Sequence, residues 1–148
     1  MREIILKVKG GKVNENEIRK KIEGVENLEK ILEEIKEKVK EFEGVEVEVR
    51  VYVNGNYYIK FKFPSVGELV RSILGVEKLK VSEEDKAKGV EVVGDVSMKD
   101  IEKIARMKMI ETSCDDLKKM IRQVVGSCVS MPITIEGKKP KEVLEELK

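Results

Sequence analysis

Hydrophobic and polar residues follow clear spacings in the first part of the chain. Residues 3–9 alternate as in a strand and stop at Gly10-Gly11. After a polar segment of weak helical period at residues 14–24, an apolar stripe with helical spacing runs up to Gly44. The stripe consists of Leu28, Ile31, Leu32, Ile35, Val39 and Phe42. These patterns predict a strand followed by one long amphipathic helix.

Strict alternation follows and predicts a β-hairpin. Residues 45–53 and 57–63 each place apolar side chains on one face, and Asn54-Gly55 between them is typical of a two-residue turn. A proline ends the second strand, and a glycine ends a short helix after it. Strand, helix, hairpin and helix together predict a small N-terminal α+β domain over residues 1–75.

Strand patterns largely vanish beyond this point, and helix-start signals replace them. Residues 76–96 are charged and broken by glycines, which predicts a linker or long loop. Four helices are expected after it, each at a residue pattern typical of a helix start: Ser97 with Asp100, Ser113 with Asp116, Gly126 as the start of a short element through Met131, and Pro140. The sequence therefore predicts a compact helical domain over residues 97–148.

The composition indicates a folded protein with a densely charged surface. Hydrophobic residues make up 41% of the 148 and charged residues 40%, with a formal net charge of +1. Because the chain is nearly neutral, nucleic acid could be bound only through a local basic patch. No run approaches the roughly 18 apolar residues of a membrane span, and the N-terminal run has no signal-peptide segment. Cys114 and Cys128 form neither a disulfide framework nor a zinc signature, so we expect a cytoplasmic protein with no membrane partner.

The residues that most enzymes need are scarce. The chain has no histidine, the commonest general base, and no phosphate-binding glycine loop. The acidic clusters Glu83-Glu84-Asp85 and Asp115-Asp116 are more typical of a solvated loop and a helix cap than of a metal site. We expect that the protein is not an enzyme and has no cofactor and no metal.

The segment from Gly126 to Met131 differs in chemistry from the rest of the chain. Gly126 would let an RNA backbone come close, and Ser127 and Ser130 could donate hydrogen bonds to phosphate or 2′-hydroxyl groups. Over residues 98–139, nine basic residues stand against six acidic ones. An ordinary glycine-serine helix start in a helical bundle would explain the same residues.

Several segments resemble the archaeal ribosomal L-eleven family, in order and along nearly the whole chain. Gly126–Val143 is similar to the family's G-T-C-x-S-M-G-V-T-V-E-G-K-D-P-x-E-V, and Val92–Met98 to its V-V-G-N-L-T-M. Ile104–Lys108 resembles I-A-K-M-K, Lys40–Val45 resembles K-D-F-E-G-M, and Leu74–Lys78 resembles L-G-I-E-K. The match is specific from about residue 90 to 143 and looser before it.

The resemblance implies a constituent of the large ribosomal subunit. Its C-terminal part would be a three-helix, homeodomain-like domain that binds rRNA of the GTPase-associated centre at the stalk base. Its N-terminal domain would contact the stalk-anchoring ribosomal protein and translation GTPases, as an arm joined by residues 76–96. The RNA-binding residues implied by motif position and their neighbours are Gly126, Ser127, Ser130, Met131, Lys108, Arg106 and Lys78 with the loop after it.

Three departures from the family pattern leave alternatives open. In one of them, the loop after Lys78 lacks the family's G-S-G and is longer. Residues 15–24 contain none of the prolines of the family's P-x-P-P-x-G-P-x-L-G, which argues against a retained contact with translation GTPases. Pro132 replaces the glycine after S-M, so the preceding helix cannot end in a left-handed cap at this residue. One alternative is a paralogue that binds the same ribosomal site as a regulator. The other is a non-ribosomal protein-interaction module, which the near-neutral charge favours.

Overall fold

A computed structural model of the chain describes residues 2–147 and contains both helices and strands. It divides into two compact units between Pro64 and Ser65. The expected α+β class is confirmed. We had expected residues 1–75 to form the first domain, whereas in the structure the helix after Pro64 belongs to the second unit.

Over residues 2–64, the first unit contains three strands and two helices. In chain order these are β1 (Arg2–Lys9), α1 (Glu15–Lys21), α2 (Leu28–Val39), β2 (Glu46–Asn54) and β3 (Asn56–Lys62). The strands form one antiparallel sheet in the order β1-β2-β3. Asn54 pairs with Asn56 across Gly55, so the hairpin lies where the sequence predicts it but turns more tightly.

One face of this sheet is the core of the unit. Leu6 pairs with Val49, and both are buried. Four residues of the predicted apolar stripe are buried in α2, namely Ile31, Leu32, Ile35 and Val39. Beyond the end of α2, the rings of Phe42 and Phe63 meet edge to face with centroids 5.5 Å apart. Burying side chains of this size stabilises the unit by about 1.5–3 kcal/mol each. Because side chains alternate along a strand, every second residue of each strand lies on the opposite, outer face of the sheet.

Gly10 allows the closest backbone approach in the described part of this unit. A Cβ atom at this position would lie 2.0 Å from the carbonyl oxygen of Phe42. The amide of Gly10 donates to the carbonyl of Val45, and the amide of Gly44 donates to the carbonyl of Gly10. The end of β1 is thereby bound directly to the segment that leads into β2.

In the second unit, residues 65–147 form five helices and a two-stranded parallel sheet. In chain order these are α3 (Val66–Leu74), α4 (Glu83–Ala87), β4 (Gly94–Val96), α5 (Met98–Thr112), α6 (Leu117–Cys128), β5 (Ile133–Ile135) and α7 (Pro140–Glu146). The capping box at Ser97 and Asp100 is present as predicted and starts α5. α5, α6 and α7 are the helical part that the sequence led us to expect, and α3 packs with α5, α6 and β4.

Residues 76–96, expected as a linker, are part of the second unit instead. β4 pairs in parallel with β5, with Gly94 opposite Ile133 and Val96 opposite Ile135. Val81 is buried. Since this segment provides a strand and a core residue, the chain passes between the two units at Pro64, not here.

The expected short helix from Gly126 to Met131 was wrong. Gly126 lies in the last turn of α6, which runs without interruption from Leu117 to Cys128. Val124, Val125 and Cys128 are all buried, so the packing of one continuous apolar side carries the helix past the glycine. Ser113, expected as a helix start, ends α5 in a left-handed conformation instead (φ 57°), and Asp116 caps α6.

Candidate nucleic-acid interface

The helix α6 has one buried side and one exposed side, and its N-cap, Asp116, fixes the residue at which the helix begins. The Asp116 side chain accepts a hydrogen bond from the Lys119 amide at 3.2 Å, which satisfies an amide of the first turn. Met120, Val124, Val125 and Cys128 are buried on the inner side. Burial raises the pKa of the Cys128 thiol to about 11, so this cysteine stays a neutral packing residue.

The exposed side of α6 is a continuous polar face that we call the α6 face. Its six members recur at helical spacing, and they are Lys118, Lys119, Arg122, Gln123, Gly126 and Ser127. Three of the six are basic and none is acidic. At 1.5 Å per residue the face is about 13 Å long. The α6 face therefore concentrates positive charge that the near-neutral composition of the whole chain conceals.

Gly126 is the position on this face where a partner could come closest to the backbone. It is exposed, and a Cβ added to it would have no heavy atom within 4 Å. The fold itself therefore does not require glycine there, although glycine inside a helix is less favourable than alanine by about 0.5–1 kcal/mol. Ser127 beside it is exposed and donates from Oγ to the carbonyl of Gln123 at 3.1 Å. Such an exposed hydroxyl can exchange this bond for one to a ligand.

The direction of α6 corrects one part of the predicted chemistry. We had expected a helix N-terminus at Gly126, where amide groups attract anions. The last turn of a helix instead presents carbonyl groups and a partial negative charge. Attraction for phosphate at this face therefore comes from the basic side chains of α6, Arg122 being one turn before Gly126.

The chain leaves α6 through a tight turn and not through a left-handed cap, as Pro132 predicts. Val129 stays in a right-handed helical conformation, and its amide donates to the carbonyl of Gly126 at 3.3 Å. The carbonyl of Pro132 accepts a 2.7 Å bond from the amide of Val93. Ser130 is exposed, and Val129 is 44% exposed. The turn thus continues the α6 face and is tied to the segment before β4.

The loop after Lys78 lies against this turn. A cavity of about 470 Å³ is lined by Pro132 and, from the loop, by Leu79, Lys80, Val81, Lys86, Gly89, Val90 and Glu91. Met131 is half-buried, and its Cε lies 3.8 Å from where a Cβ on Gly67 would be. Lys78 itself is exposed. The structure therefore brings together four of the predicted site residues, Gly126 to Met131, with the predicted loop beside them.

The remaining predicted residues, Lys108 and Arg106, lie on α5. The Lys108 side chain is only 15% exposed and its Nζ lies 3.2 Å from a carboxylate oxygen of Glu111. Arg106 is exposed and lies 2.9 Å from Glu102 one turn away. Because both charges have a carboxylate partner on their own helix, they contribute less to an anion site than the basic residues of α6.

The Asp95 carboxylate stabilises the turn after β5 through hydrogen bonds. Oδ1 of Asp95 accepts from the Thr134 hydroxyl at 2.6 Å and from the Gly137 amide at 2.8 Å, and these bonds lower the pKa of Asp95. Glu136 and Gly137 both have positive φ, 50° and 82°, and form the two-residue turn. The Glu136 carboxylate accepts from the Met98 amide and so caps α5. Strands, turn and helix start are fixed together.

Comparison of the sequence with known proteins shows the family to which the chain belongs. The model named "Ribosomal protein L11, RNA binding domain" matches residues 62–135, which contain all of α6 and the turn after it. The chain is 37% identical over 124 residues to the large ribosomal subunit protein uL11 of Methanopyrus kandleri, covering 82% of this chain and 72% of that one.

The chain belongs to the ribosomal protein L11 family. Two further archaeal uL11 proteins are similar over 82% of this chain. That of Methanospirillum hungatei is 39% identical over 123 residues and 75% of its own length. That of Methanocaldococcus jannaschii is 36% identical over 124 residues and 74% of its own length. The resemblance that the sequence motifs indicated is thereby confirmed.

The family motifs do not include the basic side chains on α6. In the sequence, Lys118, Lys119 and Arg122 are three of the nine basic residues over 98–139, and the expected separate helix at residues 126–131 did not place them on one face with Gly126. Continuing the helical period backwards from Gly126 by four residues finds Arg122, and by seven finds Lys119. That spacing was the available signal.

Among the residues the structure describes, no helix is long and apolar enough to span a membrane. Over the same residues, no cluster of three or more potential ligand side chains could hold a metal ion.

Proposed function

We propose that this chain is a constituent of the large ribosomal subunit and binds rRNA through the α6 face and the turn at Val129–Met131. The observation that carries the proposal is a continuous exposed helix face with three basic residues, no acidic residue and an unobstructed glycine. This face lies within the segment that matches the family's RNA-binding domain. The relatives carry the name of a large-subunit protein.

The binding mechanism is recognition of a folded RNA shape by the backbone and by short polar groups. Lys118, Lys119 and Arg122 contact phosphates and release counterions, which makes affinity salt-dependent. Gly126 admits a sugar-phosphate backbone against the helix, and Ser127 and Ser130 donate hydrogen bonds to phosphate or 2′-hydroxyl groups. Met131 supports the turn from the inside, where it is half-buried.

The finer assignment is rRNA of the GTPase-associated centre, at the base of the stalk. On this proposal the stalk-anchoring ribosomal protein is a neighbour, the protein is ribosome-associated in the cytoplasm, and translation GTPases contact the first unit. Arg106, Lys108 and Lys78 extend the RNA contact beyond the α6 face. The motif positions at Gly126–Met131 support this assignment.

A second candidate is a paralogue that occupies the same rRNA site without recruiting GTPases. The observation that favours it is α1, which stands where the family has its proline-glycine motif. Ile18 anchors α1 in the core, and two ion pairs join α1 to α2: Arg19 with Glu29, and Glu15 with Lys36. A charged helix pinned in this way presents a different surface from a proline-rich one. A genome that also encodes a family member with the prolines intact would favour this candidate.

Binding of the full chain to a transcribed rRNA fragment of the GTPase-associated centre tests the proposal. Gly126→Glu places a negative charge in the middle of the α6 face, and nothing within 4 Å of the new Cβ obstructs folding. We expect it to abolish binding in a filter or anisotropy assay. Asn16→Glu is the matched control, since it adds the same charge at an exposed helical position of the first unit. Normal binding by Gly126→Glu would refute the proposal.

Co-sedimentation with large subunits at moderate salt tests the ribosomal assignment itself. The wild-type chain should sediment with subunits, and Gly126→Glu should remain in the supernatant. A wild-type chain that stays in the supernatant, while folded by circular dichroism, would point to a protein-interaction module outside the ribosome.

A further inference from the structure

The outer face of the first unit's sheet is an open surface made of three cross-strand rows. The register places Tyr52 between Glu3 and Tyr58, Arg50 between Ile5 and Lys60, and Glu48 between Lys7 and Lys62. Every one of these residues is exposed or half-exposed. We call this set the outer sheet face. The helix α2 takes no part in it, because its buried stripe belongs to the other face.

Two aromatic rings stand side by side on this face. The rings of Tyr52 and Tyr58 have centroids 6.3 Å apart and an interplanar angle of 33°. Tyr58 is 59% exposed, and Ile5 in the next row is 47% exposed. The Arg50 guanidinium donates to Glu48 at 3.3 Å, and interactions with the side chains of Tyr52 and Glu48 raise the pKa of Arg50. The face thus offers two neighbouring aromatic rings, one exposed and one half-exposed.

The charges around the rings are predominantly positive. Four basic residues share the outer sheet face with two acidic ones, and the pair Lys9 and Glu46 just beyond its end adds one charge of each sign. Arg50 lies 3.3 Å from Glu48 and 3.6 Å from Glu3, so both carboxylates of the face are paired locally. Within residues 2–147, the side chains of Lys7, Lys60 and Lys62 form no ion pair. These three lysines therefore remain as an anion-attracting rim beside the tyrosines.

We propose that the outer sheet face binds a single-stranded RNA segment, with bases stacked on Tyr58 and Tyr52 and phosphates contacted by Lys60, Lys62 and Lys7. Stacking on an exposed aromatic ring accepts any base, and flanking lysines follow the backbone, a combination typical of single-strand binding surfaces. A docked protein would need an apolar centre that excludes water. Ile5 and two polar-tipped rings are too small a centre for that.

This second RNA contact lies on the first unit and is independent of the α6 face. It goes beyond the proposed function, because that function needs only the second unit to hold the folded rRNA. The two can be separated experimentally by removing the α6 contact first. The Gly126→Glu chain, deficient at the α6 face, should keep its affinity for a single-stranded oligonucleotide.

Fluorescence anisotropy with a labelled eight-nucleotide oligo(U) tests the inference in the full-length Gly126→Glu chain. Tyr58→Ala should weaken binding about tenfold, because one base then loses the ring on which it stacks. Tyr58→Phe keeps the ring and should restore most of the affinity. The double variant Lys60→Glu, Lys62→Glu should weaken binding further and flatten its salt dependence.

Photo-crosslinking with 5-iodouridine in the same oligonucleotide provides the location. Cleavage after Arg50 and Lys60 releases residues 51–60 with all three tyrosines of the chain, and the crosslink should be found there. Absence of oligonucleotide binding in the Gly126→Glu chain, or binding unaltered by Tyr58→Ala, would overturn the inference. Binding of poly-glutamate peptide in place of the oligonucleotide, lost in Tyr58→Ala, would assign the face to an acidic protein segment and overturn it too.

Discussion

Replacing Gly126 by alanine tests whether RNA binding or the fold requires glycine at this position. The residue lies in the last turn of α6, its φ is not in the left-handed region, and an added Cβ meets no heavy atom within 4 Å. Alanine is better than glycine in a helix by about 0.5–1 kcal/mol, so Gly126→Ala should stabilise the second unit by up to that amount. In a chain of this length the melting temperature should rise by about 1–4 °C.

The same substitution should weaken binding to the rRNA fragment. A methyl group inserted where backbone and RNA touch overpacks the contact, which costs on the order of 1–3 kcal/mol and corresponds to a roughly 5- to 150-fold loss of affinity. Stability and affinity therefore change in opposite directions. A glycine with no role in binding would give the first effect without the second.

Far-UV circular dichroism and filter binding measure the two effects. Tyrosine fluorescence is unsuitable for stability here, because all three tyrosines lie at residues 52–58 in the first unit and the chain has no tryptophan. Asn16→Ala serves as control, being a substitution on an exposed helix of the other unit. Unaltered RNA affinity in a stabilised Gly126→Ala chain, or a destabilised chain, would refute the reasoning.

Three further substitutions test the scaffold and the charges. Arg122→Ala should weaken rRNA binding and reduce the slope of log affinity against log salt by about one, measured by titration at several salt concentrations; an unchanged slope would contradict a phosphate contact. Because bonds from Thr134 and Gly137 lower the pKa of Asp95, its contribution to stability is complete above its ordinary value of 3.8 and is lost as pH falls through the lower folded value. Asp95→Asn should accordingly melt earlier at pH 7 with a smaller difference from wild type in acid, whereas a difference constant with pH would exclude the linkage. Gly10→Ala would place a Cβ 2.0 Å from the carbonyl oxygen of Phe42 and should destabilise the first unit by several kcal/mol. Urea unfolding monitored by tyrosine fluorescence measures this loss, and an unfolding midpoint equal to that of the wild type would show that the two backbone segments are not in tight contact.

Elements stabilised by local pattern could be predicted from the sequence. The apolar stripe of α2 and the alternation in β2 and β3 encode their own buried faces, so the hydrophobic period alone was enough to locate these elements. The capping box before α5 is equally local, since both partners lie within three residues. For the site, motif likeness located the segment Gly126–Met131 and its open glycine.

Contacts between distant residues decided the rest. β4 exists because Gly94–Val96 pairs with residues 39 positions later, and a three-residue parallel strand carries no signal of its own. α3 joined the second unit because its buried Leu69 and Val70 pack there.

The difference is clearest at Gly126. Its local pattern favours a helix start, but burial of Val124, Val125 and Cys128 makes it part of the last turn of a longer helix. The sequence by itself determined which residues are small, hydroxylated and basic there. Only the tertiary structure decided that these residues share one exposed face and that Gly126 lies at the negative, carbonyl end of the helix. Both depend on where the chain buries its apolar side.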